Sequence, residues 1–184
     1  TVVYTVIDQN GATDTATLTL TMSGANDVPM IVAETATPTL VDTEIDNSFA
    51  NVVGTLVDNW SDIDALDSRT FALATGEDGT GSYGTQTVNG DGTYSYVANA
   101  AVINALQSGN YSDAFDVQVS DGQGAVATTP LPINITAGND TPVITAEVAT
   151  PTLVDSSAND TFADVTGQLD ATDRDSGAAL TYSL

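Results

Sequence analysis

The residues best suited to chemistry in this chain are carboxylates and carboxamides that recur at a fixed interval. Asn26-Asp27 returns as Asn139-Asp140, 113 residues later. Each pair is followed by an Asp-x-Asp loop, Asp62-Ile63-Asp64 after the first and Asp173-Arg174-Asp175 after the second. Side chains at i and i+2 of an extended segment lie on one side, so each loop offers two carboxylates to one ion. Calcium takes roughly six to eight oxygens, usually mixing carboxylates with carbonyls. A lone Asp-x-Asp is ordinarily a solvated loop. Here it is coupled to an Asn-Asp linker twice, and the chain has no Lys to neutralise it, which points to calcium. An EF-hand is excluded: counting from Asp173, Ala178 stands where the sharp-turn Gly belongs and Leu184 where the bidentate Glu belongs.

Composition narrows the chemistry further. The formal net charge is −23, from 25 acidic and 2 basic residues, the latter being Arg69 and Arg174. The absence of Cys and His removes thiolate and imidazole chemistry, and the absence of Lys removes Schiff bases and isopeptide cross-links. With two cations, nucleic acid is an unsuitable partner. Almost none of the acids can pair within the chain, so they must be solvated or bridged by divalent cations. The chain is nonetheless 41% hydrophobic, with apolar residues alternating with Thr and Ser, as expected of strands rather than disorder. No membrane span is apparent, so membrane insertion is not expected.

The elements that must position these acids follow from an internal repeat. Ala36-Thr37-Pro38-Thr39-Leu40-Val41-Asp42 reappears verbatim at Ala149 to Asp155, and Asp8 and Gly11 match Asp121 and Gly124. The chain therefore divides into residues 1–26, the C-terminal part of a preceding repeat; residues 27–139, one complete repeat; and residues 140–184, the N-terminal part of a following repeat. Within the complete repeat, strands are expected at Met30 to Glu34 (with a second short piece at Thr39 to Val41), Phe49 to Val57 (with Gly54 inside it as a bulge), Thr70 to Ala74, Thr85 to Val88, Thr93 to Val97, Ala114 to Ser120 and Val126 to Thr136. Residues 1–26 read as a hairpin, Val2 to Ile7 and Ala12 to Met22, around Asp8-Gln9-Asn10-Gly11. A short crossover helix is expected over Ala100 to Gln107, with Asn99 as its cap and Gly109 as its end. Pro130 and Pro132 remove two neighbouring donors from one side of their strand, which should be a blunted edge.

About seven short strands in such a repeat signify an all-β sandwich. In that architecture the strand-linking loop at Asp62 to Asp64 and the hairpin turn at Asp121 both lie beside the incoming linker. Asn26, Asp27, Asp62, Asp64 and Asp121 should thus converge at one junction, and Asn139, Asp140, Asp173 and Asp175 at the next. Glu34, Asp42, Glu44, Asp46, Asp113 and Asp116 are weaker candidates. Of these, Asp42 to Asp46 should sit at the outgoing end, near Asn139 and Asp140, where they could complete the second junction from the other side. Trp60, Tyr94 and Tyr96 would suit a sugar platform, but core or rim packing is expected of them. The Thr13–Thr21 ladder reads as a solvated strand face, since the later copy has Pro130 and Pro132 in place of Thr17 and Thr19.

Gly92-Thr93-Tyr94-Ser95-Tyr96, Ala100-Ala101-Val102 with Leu106 and Gly109, Phe115 with Asp121-Gly122-Gln123-Gly124, and Gly138-Asn139-Asp140-Thr141-Pro142-Val143 together resemble the VCBS-type repeat. This is a tandem cadherin-like, immunoglobulin-like domain of large bacterial surface and RTX-type adhesins. Asp173-Arg174-Asp175 is similar to the acidic motif of cadherin-like domains. The resemblance implies tandem immunoglobulin/cadherin-like sandwiches in a secreted or cell-surface stalk, with structural calcium at or near the domain junctions. The matching positions are Asn26, Asp27, Asp62, Asp64, Asn139, Asp140, Asp173 and Asp175. The first acidic loop is two residues longer than the second and lacks its Gly, so the two junctions need not bind alike.

The resulting expectation is a non-enzymatic structural stalk module for adhesion or biofilm, with neighbouring repeats, and possibly like chains in a filament or matrix, as its partners. A carbohydrate- or ice-binding module and a subunit of an extracellular filament are the alternatives.

Overall fold

The computed structural model describes residues 1–34, 38–64, 67–145, 152–162 and 164–183. Ala65 and Leu66, which make up the extra length of the first acidic loop, and Ala149 to Pro151 of the verbatim repeat lie outside them. The chain opens with a hairpin of β1 (Val2–Ile7) and β2 (Thr13–Leu18), paired from Val2↔Leu18 to Ile7↔Thr13. Its turn is closed by Asp8, whose Oδ1 accepts from the amides of Asn10 at 2.9 Å and Ala12 at 2.7 Å. Then come β3 (Met30–Ile31), β4 (Thr39–Val41), β5 (Val52–Thr55), a helical turn at Val57–Asn59, β6 (Trp60–Ser61), β7 (Thr70–Leu73), β8 (Gly84–Val88) and β9 (Thr93–Ala98). A short helix α1 (Ala100–Ile103), the long strands β10 (Gly109–Ser120) and β11 (Val126–Ala137), and the pair β12 (Val143–Thr145) and β13 (Asp170–Thr172) complete the order.

A four-stranded sheet β4-β11-β10-β7 packs on a three-stranded sheet β5-β9-β8. The two long strands carry the sandwich because their apolar residues alternate strictly. Phe115, Val117 and Val119 of β10, and Leu131, Ile133 and Ile135 of β11, all point into one core with Phe71, Leu56, Tyr94, Tyr96 and Ile103. Their pairing runs unbroken from Gly109↔Ala137 to Ser120↔Val126. Strand β4 joins β11 in parallel at Asn134–Thr136, beyond the prolines, so the blunted stretch is confined to Pro130 and Pro132.

Tyr96, fully buried, donates its hydroxyl to Asp113 Oδ2 at 2.7 Å, and Asp113 also accepts from the amides of Ser82 at 2.8 Å and Tyr83 at 3.0 Å. This carboxylate thus pins the connection before β8 onto the sheet. Only a glycine fits at position 81, since a Cβ there would lie 2.2 Å from Asp113 Oδ2.

Several local expectations are corrected. Gly54 makes no bulge: it pairs in register with Tyr94, and its missing side chain leaves room for that ring, whose Oη would lie 2.3 Å from a Cβ. Strand β3 stops at Ile31 rather than Glu34, whose carboxylate instead accepts from Tyr94 Oη at 2.8 Å. Strand β2 ends at Leu18 and β5 covers only Val52–Thr55. The helix is capped by Asn99 as expected but spans only Ala100–Ile103. The helix ends at Asn104, whose amide donates to Ala100 O and whose side chain accepts from Asn47 N at 2.8 Å and donates to Asn47 O at 2.9 Å and Asp46 Oδ1 at 3.1 Å. Gly109 opens β10 instead of terminating the helix.

The end segments keep the pattern of the repeat but not its burial. Val2, Tyr4, Val6, Leu18, Leu20 and Met22 stand 113 positions before the six buried core residues of β10 and β11, and all six are exposed. Ile144, Leu153, Val165 and Leu169, 113 positions after the buried Ile31, Leu40, Val52 and Leu56, are exposed as well.

Candidate metal centres at the linkers

Both junctions share the same three bonds, one from linker to acidic loop, one within the loop and one within the linker. At the first, the Asp27 amide donates to Asp64 Oδ2 at 2.7 Å, the Asp64 amide to Asp62 Oδ1 at 2.9 Å, and Asn26 Nδ2 to the Asp27 carbonyl at 3.1 Å. At the second, the Asp140 amide donates to Asp175 Oδ2 at 2.9 Å, the Asp175 amide to Asp173 Oδ1 at 2.9 Å, and Asn139 Nδ2 to the Asp140 carbonyl at 2.6 Å. The Asp-x-Asp loop therefore folds back beside the linker twice, despite the difference in loop length. In each, the first carboxylate closes a local turn and the second clamps the linker backbone.

The first junction adds the β10–β11 turn. Asp121, fully buried, accepts from the amides of Gln123, Gly124 and Ala125 at 2.7, 3.0 and 3.1 Å on Oδ1, and from Asn26 Nδ2 at 2.7 Å on Oδ2. The Asn26 amide, with those backbone donors, holds its carboxyl below the usual carboxylate range against the opposing effect of burial. Asp62, Asp67 and Asp121 bring one carboxylate oxygen each to within 4.8 Å of one another. The Oδ2 atoms of Asp62 and Asp67 are buried without a hydrogen-bond partner. Loss of solvation raises the Asp67 carboxyl; Gln123 opposes this, and the charges of Asp64, Asp62 and Asp121 add to it.

The second junction is deeper. Asp140 and Asp175 are buried, and Asp42, which follows β4 in the preceding sandwich, joins them at 3% exposure. Asp140 Oδ2, Asp175 Oδ1 and both oxygens of Asp42 are buried without a hydrogen-bond partner. Buried carboxylates in that condition are costly unless a cation or a proton compensates them. Burial first, then the charges of Asp140 and Asp175, raise the Asp42 carboxyl, while the Thr43 amide and Arg174 oppose the shift. The sandwich end is docked here as well: Ser176 N donates to Ala105 O at 2.9 Å and Gln107 Nε2 to Ser176 O at 3.3 Å.

Asn26, Asp27, Asp62, Asp64 and Asp121 lie at the first linker and Asn139, Asp140, Asp173 and Asp175 at the second, but the roles differ: Asp64 clamps the linker backbone and stands outside the group formed by Asp62, Asp67 and Asp121. Asp27 and Asn139 are exposed and contribute backbone or carboxamide contacts. Asp67, the third acid of the first loop, joins Asp62 and Asp121 although the Asp-x-Asp spacing does not include it. Asp42, a weaker candidate by sequence, is desolvated by the fold. Asp113, Asp46 and Glu34 are committed to structural hydrogen bonds, and Asp116 is exposed on β10. Tyr94 and Tyr96 are core residues, and Trp60 packs against the core with Arg69 at 5.3 Å from its ring centre.

The structure is thus a two-layer sandwich with a cluster of acids at each linker. The family described as "Bacterial cadherin-like domain" matches residues 26–137, and the chain belongs to it. The matched span begins at Asn26 and closes with the last residue of β11. No curated protein matches the sequence. Among the described residues, no helix is long and apolar enough to cross a membrane.

Proposed function

We propose that this chain is a structural spacer of an extracellular bacterial adhesin or matrix protein, stiffened at its linkers by calcium. The observation that carries the reading is the second junction, where three buried carboxylates from both sides of one linker leave four oxygens unpartnered. That donor set is all oxygen, as a hard divalent cation prefers; among the described residues, however, it is Asp62, Asp67 and Asp121 of the first junction that already bring their oxygens within 4.8 Å of one another, so the second junction would have to draw in around its ion. Asp42, Asp140 and Asp175 would hold it, with Asn139 and Asp173 beside them. A bound ion would neutralise the crowded charge and join the outgoing end of one sandwich to the incoming end of the next.

The two junctions complement each other. The first displays the incoming set: linker, Asp-x-Asp loop and the buried Asp121. The second displays the outgoing acid, Asp42, with its linker and loop. Combined on the 113-residue period, they describe a complete junction of a tandem array. Residues 27–139 are then one repeat and the end segments belong to its neighbours, whose matching portions would cover the exposed apolar faces. The partners are neighbouring repeats or like chains, and the purpose is adhesion or biofilm cohesion rather than catalysis.

Small-angle scattering of the chain in calcium and in chelator tests this reading. The expected result is a longer, less variable particle in calcium. An unchanged maximum dimension would sink it.

A further inference from the structure

The two acidic loops make the same backbone contacts but differ in their middle residue. Ile63 is exposed and uncharged, whereas Arg174 sends Nη1 to Asp140 Oδ1 at 3.0 Å. Asp140 is 2% exposed and the Arg174 side chain 42%, so a solvated stem delivers a charge to a buried acid. The chain has one other basic residue, Arg69, which lies over Trp60 at the first junction's loop. A guanidinium is a permanent cation with donors only. It can compensate Asp140 whatever the calcium concentration, yet it leaves Asp140 Oδ2, Asp175 Oδ1 and both Asp42 oxygens without partners. Its charge also opposes the upward shift of the Asp42 carboxyl.

We propose that Arg174 is a built-in counter-cation: it keeps the second junction engaged when no divalent ion is bound, and it competes with such an ion for Asp140. This rests on the reading that a divalent cation binds among these carboxylates. Two consequences follow. Calcium binds the Asn139 junction less tightly than it would with a neutral residue at 174. The Asn26 junction, with Ile63 at the equivalent place, has its linker hydrogen bonds but no loop cation of its own, so compensation of its acidic loop falls to the external ion. An array built of both kinds stiffens over a wide range of calcium concentration rather than at one threshold.

The test uses the full chain in an Asp62→Asn background, which weakens the first junction, and compares Arg174, Arg174→Gln and Arg174→Lys. Calcium affinity is measured by calorimetry, and exchange of the Asp140 amide is followed in chelator. Removing a unit charge a few ångströms from the ion should tighten binding about tenfold in Arg174→Gln. The same variant should speed exchange of the Asp140 amide, which is held by Asp175 Oδ2. Arg174→Lys, which keeps the charge, should restore most of the original affinity. Equal affinity and equal exchange in all three would overturn the role of Arg174 and leave the calcium site standing, as would weaker binding in Arg174→Gln. No calcium binding by any of them would overturn both.

Discussion

Replacing Asp42 by Asn should stabilise the chain in chelator and destabilise it in calcium. Asp42 is 3% exposed, neither oxygen has a partner, and Asp140 and Asp175 repel it. A buried polar group left unsatisfied costs about 1–3 kcal/mol. The Asn variant removes the charge and gains two N–H donors facing neighbouring carboxylates, so it should recover a cost of that size. At about 3–5 °C per kcal/mol for a domain of this size, the melting temperature in chelator should rise by about 3–15 °C. In excess calcium the order should invert. The variant gives up an anionic ligand, and each tenfold loss of affinity is about 1.4 kcal/mol of linked stabilisation. Differential scanning calorimetry of both proteins under the two conditions reads the sign directly. A variant that melts lower than the parent in chelator, or binds calcium as the parent does, would refute the reasoning.

The pH profile separates the two junctions. The Asp42 carboxyl is raised above 3.8 in the folded state, so its protonated form favours folding and that contribution is lost as pH rises through the raised value. The advantage of Asp42→Asn in chelator should therefore be largest near neutrality, shrink as pH falls through the raised value, and be gone only below 3.8, where the unfolded carboxyl is protonated too. Asp121 is shifted the other way, and the stability it supplies is present above 3.8 and lost as pH falls through its lowered value. The penalty of Asp121→Asn should thus persist at neutral pH and shrink only in stronger acid, as thermal melts across pH would record. In the core, Asp113→Ala strands the Ser82 and Tyr83 amides and the Tyr96 hydroxyl. Urea denaturation should show a loss of about 3–5 kcal/mol, and Gly81→Ala, which drives a methyl into the same carboxylate, should lose part of that.

Much of the fold was readable because its signals are local and periodic. The alternation in β10 and β11 fixes which face is buried, and Asp8 and Asp121 announce their turns by sitting three residues before a Gly with positive φ. The 113-residue interval locates both linkers without any contact information. What escaped the sequence depends on partners distant along it. Asn104 reads as one more helix residue, and its side-chain bonds to the backbone of Asn47, 57 residues away, are invisible there. Gly54 resembles a bulge until Tyr94 needs its space. In the same way, spacing identifies the Asp-x-Asp loops, but it does not show which acids lose their water. Asp42 and Asp67 stand out only when the sandwich end closes over one and the β10–β11 turn crowds the other.

The account stands on divalent cations at the linkers, and equilibrium dialysis against calcium at physiological salt measures this most directly. The chain should retain calcium saturably, and an Asp42→Asn/Asp175→Asn double variant, which withdraws charge from the second junction alone, should retain less. A wild-type chain that retains no calcium at millimolar concentrations, or a double variant that retains as much, would contradict it.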